Sequence, residues 1–351
     1  IIDYEPNDLT ITVQAGITLA KLQQILSINK QFLPIDPPNP NRATLGGTLA
    51  SNASSLFSWR RTYPRDFVIG MKVAEANGLI TKSGGKVVKN VTGYDMAKIH
   101  IGGLGTLGII SEVSLKLIPN INEKTIIIDF NKFEDSFDAS MAIFNSHISP
   151  NSLIAISQTF GNILNSENLG IYRLAIRLGG INDSISRQVN ELKEIAHKYG
   201  GTRFDTSTNK GTWNRIRDIN FRKKPPIFMS LVINLLQSNI KEFISVLINS
   251  EKGLLNDMGY ILDIQNGKIY CYWFGKYEKE KQTKLLATLN NLRSKVERLG
   301  GFLIISKAPD QIKSQVDVWG NQPTTIDIMK QLKSAFDPTN ILNPGRYIGD
   351  I

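Results

Sequence analysis

Cysteine is nearly absent. Cys271 is the single one in 351 residues, so no intrachain disulfide can form and nothing marks an oxidising compartment. It sits within Ile269-Tyr270-Cys271-Tyr272-Trp273-Phe274, an apolar strand pattern that suits a small buried hydrophobe better than a nucleophile. Histidine is almost as scarce: His100, His147 and His197 lie far apart without ligand spacing. That argues against a zinc site and leaves oxygen-ligated metals open; no resident metal is expected. No apolar run approaches the length of a membrane span, and Ile1-Ile2-Asp3-Tyr4 lacks the basic start and cleavage site of a signal peptide.

Acidic residues are outnumbered, 31 Asp and Glu against 41 Lys and Arg, for a formal charge of +10. The basic residues are dispersed, and Arg60-Arg61 and Arg222-Lys223-Lys224 are too short to follow a duplex backbone, so no nucleic-acid role is expected. A solvated basic surface is the plainer explanation; an anionic cofactor or an acidic partner subunit is the sharper one.

The length allows two domains, each with its own core. Residues 8–16 alternate like a strand, and Thr18 is placed to cap a helix bearing Leu19, Leu22, Ile25 and Leu26 on one face. A chain that opens mid-sheet without methionine is expected to have lost an N-terminal piece. The four prolines of residues 33–41 forbid helix and predict a stiff extended loop. It delivers the chain to Ala43-Thr44-Leu45-Gly46-Gly47-Thr48-Leu49-Ala50-Ser51-Asn52-Ala53-Ser54-Ser55. Bare amides beside hydroxyls suit phosphate oxygens there, and a small-residue helix start packed on a neighbour explains the pattern equally well. Residues 63–80 read as a strand, an Asn77-Gly78 hairpin turn and a returning strand. Around Gly84-Gly85 and Gly102-Gly103-Leu104-Gly105, the glycines fit either a ligand-cradling loop or plain tight turns before an alternating strand at 112–119.

Beyond Pro119 the texture changes. Strand at 125–130, helix at 133–147, strands at 153–158 and 172–178, helix at 184–199 and strand at 202–204 give the order βαββαβ, the ferredoxin-like pattern. It recurs in strand 227–235, helix 240–248, strands 260–264 and 268–274, helix 279–299 and strand 302–305. The fold class is therefore α+β, with two such units forming one antiparallel sheet and helices on one face. Between the units, Trp213 and Arg217 share a helical face, either as an exposed ion-pairing helix or as an aromatic and cation for an anionic substrate. The chain ends in a helix at 324–336 stopped by Asp337-Pro338, then turn-rich residues that suit docking.

Three segments together carry a resemblance: Ala43-Thr44-Leu45-Gly46-Gly47 with Asn52 to Ser55, Lys89 to Asp95 with Gly105-Thr106-Leu107-Gly108-Ile109-Ile110, and Phe336-Asp337-Pro338 with Asn343-Pro344-Gly345-Arg346. Their order resembles the FAD-linked oxidases of the vanillyl-alcohol oxidase (p-cresol methylhydroxylase, PCMH) type. Within it the likeness is to FAD-binding E subunits of bacterial glycolate oxidases (dehydrogenases), and extends over essentially the whole chain. Gly85 to Asp95, Trp213 with Arg217, Val318-Trp319-Gly320 and Met329 to Lys333 add to it.

The resemblance implies a PCMH-type FAD-binding domain over residues 1–119, incomplete at its N-terminus, a substrate or cap domain over 120–306, and a segment 307–351 returning to the FAD domain. Noncovalent FAD would lie with its pyrophosphate and ribose along Pro38, Thr44, Gly46, Gly47, Asn52, Ala53, Ser54 and Ser55. Leu104, Gly105, Thr106, Leu107, Gly108, Ile109 and Ile110 would line the flavin, with Lys89 and Arg346 as electrostatic neighbours and Trp213 and Arg217 as substrate candidates. The implied activity is oxidation of a CH–OH group of a small anionic 2-hydroxy acid such as glycolate. A catalytic flavin subunit and an iron–sulfur subunit are the implied partners, the chain itself lacking cysteines for a cluster. The implied setting is cytoplasmic, with any inner-membrane contact made through those partners. Two departures stand out. The family's first glycine-rich FAD loop would lie before Ile1, and the sister subunit's histidine-rich motif has no counterpart, so no catalytic residue is assigned. An autonomous FAD-dependent D-2-hydroxyacid dehydrogenase and an assembly subunit without cofactor are the alternatives.

Overall fold

The structure, a computed structural model, describes residues 1–53, 63–85, 95–165, 172–207, 211–249 and 258–351. These form two compact units, Ile1–Asn120 with Asn321–Ile351, and Ile121–Gly320. The second unit extends past the expected boundary at 306, because Ile305 N donates to Val318 O at 2.8 Å and Ile312 is buried in its core.

The first unit opens with β1 (Asp3–Glu5), a 3-10 turn over Pro6–Asp8, and β2 (Thr10–Gln14). The strand expected from residue 8 starts later, since Pro6 nucleates the turn and Leu9 closes it at φ 54°. Thr18 caps α1 (Leu19–Ile28) as anticipated, its hydroxyl accepting from Lys21 N at 3.4 Å, and Leu19, Leu22 and Leu26 are buried. Then follow β3 (Gln31–Phe32), α2 (Leu45–Ala50), β4 (Val68–Ala74), β5 (Ile80–Gly84), α3 (Ala97–His100), β6 (Ile109–Lys116) and β7 (Ile118–Pro119). The main sheet runs antiparallel in the order β1-β2-β6-β4-β5, and β3 pairs with β7. Alternation decides its core. Ile11 and Val13 of β2 and Val113 and Leu115 of β6 face inward with Leu22 of α1 and Leu45 and Leu49 of α2.

The second unit contains β8 (Asn122–Phe130), α4 (Phe133–Phe144), β9 (Ser152–Ile156), α5 (Gln158–Asn165), β10 (Tyr172–Gly180), α6 (Asn182–Lys198), β11 (Arg203–Ser207) and α7 (Gly211–Arg217). It continues with β12 (Ile227–Asn234), α8 (Gln237–Asn249), β13 (Met258–Asp263), β14 (Lys268–Phe274), α9 (Gln282–Arg298), β15 (Phe302–Lys307) and α10 (Asp310–Lys313). The chain then returns to the first unit as α11 (Ile326–Phe336).

Eight strands form one antiparallel sheet in the order β11-β8-β10-β9-β13-β14-β12-β15. Counted from its own first strand, the first half reads 4-1-3-2 and the second 2-3-1-4. The halves join where Ile154, Ala155 and Ile156 pair with Asp263, Leu262 and Ile261. One face packs α4, α6, α8 and α9 through residues such as Phe137, Leu192, Phe243 and Leu289.

The expectation of helices on one face needs correction. Cys271 and Trp273 belong to that helix-covered core, whereas the alternate residues Tyr272 and Phe274 meet Phe160 of α5, with ring centroids 5.4 and 5.9 Å apart. Since successive side chains of a strand point to opposite faces, α5 lies on the second face. Thr125, alternate to the core residues Ile126 and Ile128, likewise accepts from Trp213 Nε1 of α7 at 2.8 Å. The same face carries the fork of Arg173 Nε and Nη2 on Asp129, at 2.6 and 2.9 Å.

Phe160 is fully buried. Phe160→Ala is expected to lower the stability of the chain by about 3–5 kcal/mol, read from the midpoint of urea unfolding, through the lost burial and the cavity left beneath α5. An exposed-site effect below about 0.5 kcal/mol would contradict this placement of α5.

Candidate functional site: a glycine-walled cleft in the first unit

A cleft of about 640 Å³ opens in the first unit, among Ala15, Gly16, Thr44, Gly46, Gly47, Ala50, Ser51, Leu104, Gly105, Gly108, Ile109, Ile110, Ile341, Leu342, Asn343 and Arg346. Three separate stretches build it. The first is the turn after β2 together with α2. Gly46 sits so close to that turn that a Cβ would fall 2.8 Å from Ala15 Cβ, so only glycine lets α2 seat there.

The second stretch is the loop before β6. Gly102 N donates to Leu49 O and Leu104 N to Ala50 O, at 2.9 and 2.8 Å, which fastens the loop to the end of α2. Leu104 and Gly105 both take left-handed backbone, φ 51° and 73°. At Gly105 a Cβ would also lie 2.9 Å from Asn343 Nδ2. The glycine is therefore required twice over, by φ and by space.

The third stretch is the tail after α11, held from beneath by a buried ion pair. Lys333 Nζ donates to Asp337 Oδ2 at 2.6 Å, to Leu342 O at 2.8 Å and to Thr106 O at 3.0 Å. Asp337 accepts in turn from Leu342 N at 2.7 Å and Ile341 N at 3.1 Å. Asn343 Nδ2 completes the seam by donating to Leu104 O at 2.6 Å. Burial by itself would raise the Asp337 carboxyl, but the hydrogen bonds from Lys333 and the Leu342 and Ile341 amides, with the Lys333 charge, bring it from 3.8 down to about 2. Close by, His100 stands edge-on to Phe336, centroids 5.9 Å apart, and burial lowers its pKa against the opposing charge of Glu75.

The cleft thus gathers Thr44, Gly46, Gly47, Leu104, Gly105, Gly108, Ile109, Ile110 and Arg346 of the sequence candidates. Pro38, Asn52, Ala53, Thr106 and Leu107 are described but do not line it. Thr106 is buried, its hydroxyl donating to Gly103 O at 2.7 Å. Ser54, Ser55 and Lys89 lie outside the described residues. Trp213 belongs to the second unit and is buried rather than exposed; Arg217 forks onto its neighbour Asp218 at 3.0 and 2.9 Å. Sequence reading passed over Ala15, Gly16, Ala50, Ser51, Ile341, Leu342 and Asn343 as wall residues, and the Lys333–Asp337 pair beneath them. The pair's spacing of four at a helix end was the available signal.

One expectation fails on hydrogen-bond accounting. The first amides of α2 are already engaged: Leu45 N donates to Ile17 O and Gly46 N to Ala15 O, both at 2.8 Å, and Gly47 N to Thr44 Oγ1 at 3.2 Å. The small-residue helix start is packed on its neighbour, so these amides do not grip a phosphate. What the described lining residues offer instead is one cation, Arg346, apolar wall from Ile109, Ile110 and Ile341, and backbone unshielded at the glycines. That combination fits a flat ring system joined to an anionic group.

Residues 1–84 match the profile of the FAD binding domain, and residues 317–347 that of the C-terminal domain of FAD linked oxidases. Glycolate oxidase subunit GlcD of Bacillus subtilis is 26% identical over 366 residues, covering 99% of this chain and 77% of that relative. D-lactate dehydrogenase of Anaerostipes hadrus is 26% identical over 371 residues, with the same coverage. Glycolate oxidase subunit GlcE of Escherichia coli is 36% identical over 121 residues, 34% of each chain, so the likeness to an E subunit is confined to that part and does not extend over the whole chain as expected. Among solved structures, an alkyldihydroxyacetonephosphate synthase superposes with a TM-score of 0.72 at 17% identity. That match covers 98% of this chain and 66% of the synthase, and shows a shared fold. FAD as cofactor is borne out by both profiles. The relatives' names, an oxidase subunit and a dehydrogenase, agree with the expected FAD-dependent oxidoreductase acting on CH–OH donors.

Because the Asp337 carboxyl is depressed in the folded chain, its contribution is complete above the ordinary value of 3.8 and is lost as pH falls through about 2. The tail at 337–347 is therefore expected to stay protected from hydrogen exchange between neutral pH and about pH 4, then to open toward pH 2. Asp337→Asn, which strands the ammonium, is expected to expose the tail already at neutral pH.

Proposed function

We propose that the chain binds FAD noncovalently in this cleft and serves as the FAD-binding subunit of a 2-hydroxy-acid oxidase or dehydrogenase of the glycolate oxidase type. The observation that carries this reading is where the walls come from. Ala15 to Ser51 fall in the segment matching the FAD binding domain, and Ile341 to Arg346 in the segment matching the FAD linked oxidase C-terminal domain. Two sequence regions that a profile ties to one cofactor are brought to one cavity.

In this reading FAD, when bound, supplies the acceptor for the hydride leaving the CH–OH carbon. The chain's own residues bind and orient. Ile109, Ile110 and Ile341 supply apolar surface for a ring, Arg346 supplies positive charge for an anionic group, and Gly105 and Gly108 leave backbone open to close approach. Pro38, Asn52, Ala53, Thr106 and Leu107, outside the cleft wall, remain proposed neighbours of the cofactor, as do Ser54, Ser55 and Lys89, which lie outside the described residues. Arg346 is the ionisable side chain among the described lining residues, so the group that accepts the hydroxyl proton is sought outside this wall.

The second unit, with its two halves in ferredoxin-like strand order, is proposed as the substrate or cap domain, with Trp213 and Arg217 as candidates for a small anionic 2-hydroxy acid. A catalytic flavin subunit and an iron–sulfur subunit are the proposed partners, in the cytoplasm, with inner-membrane contact only through them. No helix among the described residues is long and apolar enough to cross a membrane. A second reading, an autonomous D-2-hydroxyacid dehydrogenase, draws on the dehydrogenase relative that aligns with 99% of the chain.

The test is direct. Loading the purified chain with FAD and recording its absorbance is expected to show a retained flavin spectrum after desalting, and Arg346→Ala is expected to weaken retention by about tenfold. A chain that keeps no flavin refutes the reading. Anaerobic addition of glycolate or D-lactate then separates the two versions: bleaching of the single chain supports the autonomous enzyme, and bleaching only with partner subunits supports the subunit.

A further inference from the structure

Three backbone carbonyls around the cleft are held by side-chain donors. Those of Thr106 and Leu342 converge on Lys333 Nζ, at 3.0 and 2.8 Å, and that of Leu104 accepts from Asn343 Nδ2 at 2.6 Å. In a trans peptide the C=O and the following N–H point in opposite directions. The cis peptide recorded among the described residues is Lys224–Pro225, so these three are trans. Fixing the carbonyls therefore turns the amides of Leu107, Asn343 and Gly105 away from the side chains that hold them. None of the three has a protein acceptor among the described residues. Leu104, Gly105, Leu342 and Asn343 all lie in the cleft wall, and Lys333 is buried.

We propose that Lys333 is a positioning residue of the cleft. It orients the 342–343 peptide dipole of the cleft wall and the 106–107 peptide dipole, which joins the wall residues Gly105 and Gly108 without itself lining the cleft, so that their N–H ends form a donor set for an electron-rich acceptor of the bound ligand. The proposal rests on the FAD reading and deepens it. Asp337 neutralises the ammonium, so the charge itself exerts little field at the ligand; oriented dipoles do, and being fixed beforehand they cost no reorganisation on binding. The work expected of the α2 amides, which are spent inside the fold, falls to this second set. In FAD the acceptor is either a diphosphate oxygen or the electron-rich edge of the ring. Both share the chemistry of an anionic or strongly polarised oxygen or nitrogen, and ADP and riboflavin tell them apart as probes.

The experiment uses the full chain and amide-resolved hydrogen exchange with and without FAD. In the wild type, FAD is expected to slow exchange at Leu107 and Asn343. In Lys333→Met without flavin, the hydrogen-bonded amides of Thr106 and Leu342 are expected to lose protection while those of β2 and β6 keep theirs. The dissociation constant for FAD is expected to rise at least about tenfold in that variant, the loss falling mainly on riboflavin or mainly on ADP. FAD bound to the wild type with Leu107 and Asn343 still exchanging freely would overturn the proposal. So would Lys333→Met binding FAD within about twofold of the wild type, or a loss spread equally over both probes with a lowered thermal midpoint, which marks plain destabilisation. A wild type that takes up no FAD refutes the functional reading instead, and the flavin-free exchange comparison then still decides whether Lys333 holds these peptides.

Discussion

An ammonium buried among carbonyls is the constraint on which the first unit's architecture turns. Removing a charge from water costs several kcal/mol, a cost offset only when every partner is present with good geometry. Lys333 meets that demand with one carboxylate and two carbonyls, and Asp337 with the ammonium and two amides. Neither residue is satisfied unless α11, the loop before β6 and the tail after Asp337 are all in register. The pair therefore specifies one arrangement of three segments. Hydrophobic burial holds the sheet and α1 together; polar satisfaction holds the cleft.

The two glycine-bearing stretches meet at the cleft but play different parts. Around α2, glycine serves packing: Gly46 lets the helix start touch the turn after β2, and its amides are consumed in doing so. Around Gly105, glycine serves exposure, since a left-handed backbone beside Asn343 leaves peptide edges uncovered. Similar composition thus yields an internal joint in one place and an open surface in the other. The second unit is organised by layers instead. A continuous apolar core lies under α4, α6, α8 and α9, and the reverse face mixes the aromatic contacts of α5 with the Arg173–Asp129 pair.

Features set by neighbours in sequence were legible. Thr18 caps its helix because hydroxyl and amide stand three residues apart, and the apolar spacings of α6 and α9 mark their buried faces directly; Thr44 caps α2 in the same way, a role not read from the sequence. Helix α5 was missed for an equally local reason: eight residues with Gly161 in the middle show too little period beside a strand pattern that runs into Gln158. Trp213 could not be placed, because its partner Thr125 lies 88 residues away. Of the glycine clusters, Gly46, Gly47, Gly105 and Gly108 stand in the cleft wall, whereas Gly84, Gly85, Gly102 and Gly103 do not. Which amides are spent and which are spare depends on Ala15, Ile17 and Lys333, partners that no spacing rule brings together. Asn343 and Leu342 were read as turn residues and not as wall, since their role appears only once the tail is docked.

The first unit is written in two pieces, 1–120 and 321–351, with the whole second unit between them. The bond from Lys333 to the Thr106 carbonyl spans 227 positions. On a ribosome, the amino-terminal sheet emerges and waits while two hundred further residues are made, its cleft still lacking the third wall. Only once α11 and the tail behind it have been made can the Lys333 ammonium find its carbonyls, so the cleft is completed after the second unit and not before it. Proteolysis that removed residues 321–351 would take away Lys333, Asp337 and the third wall of the cleft, while leaving the apolar cluster around β2, β6, α1 and α2 with its own partners.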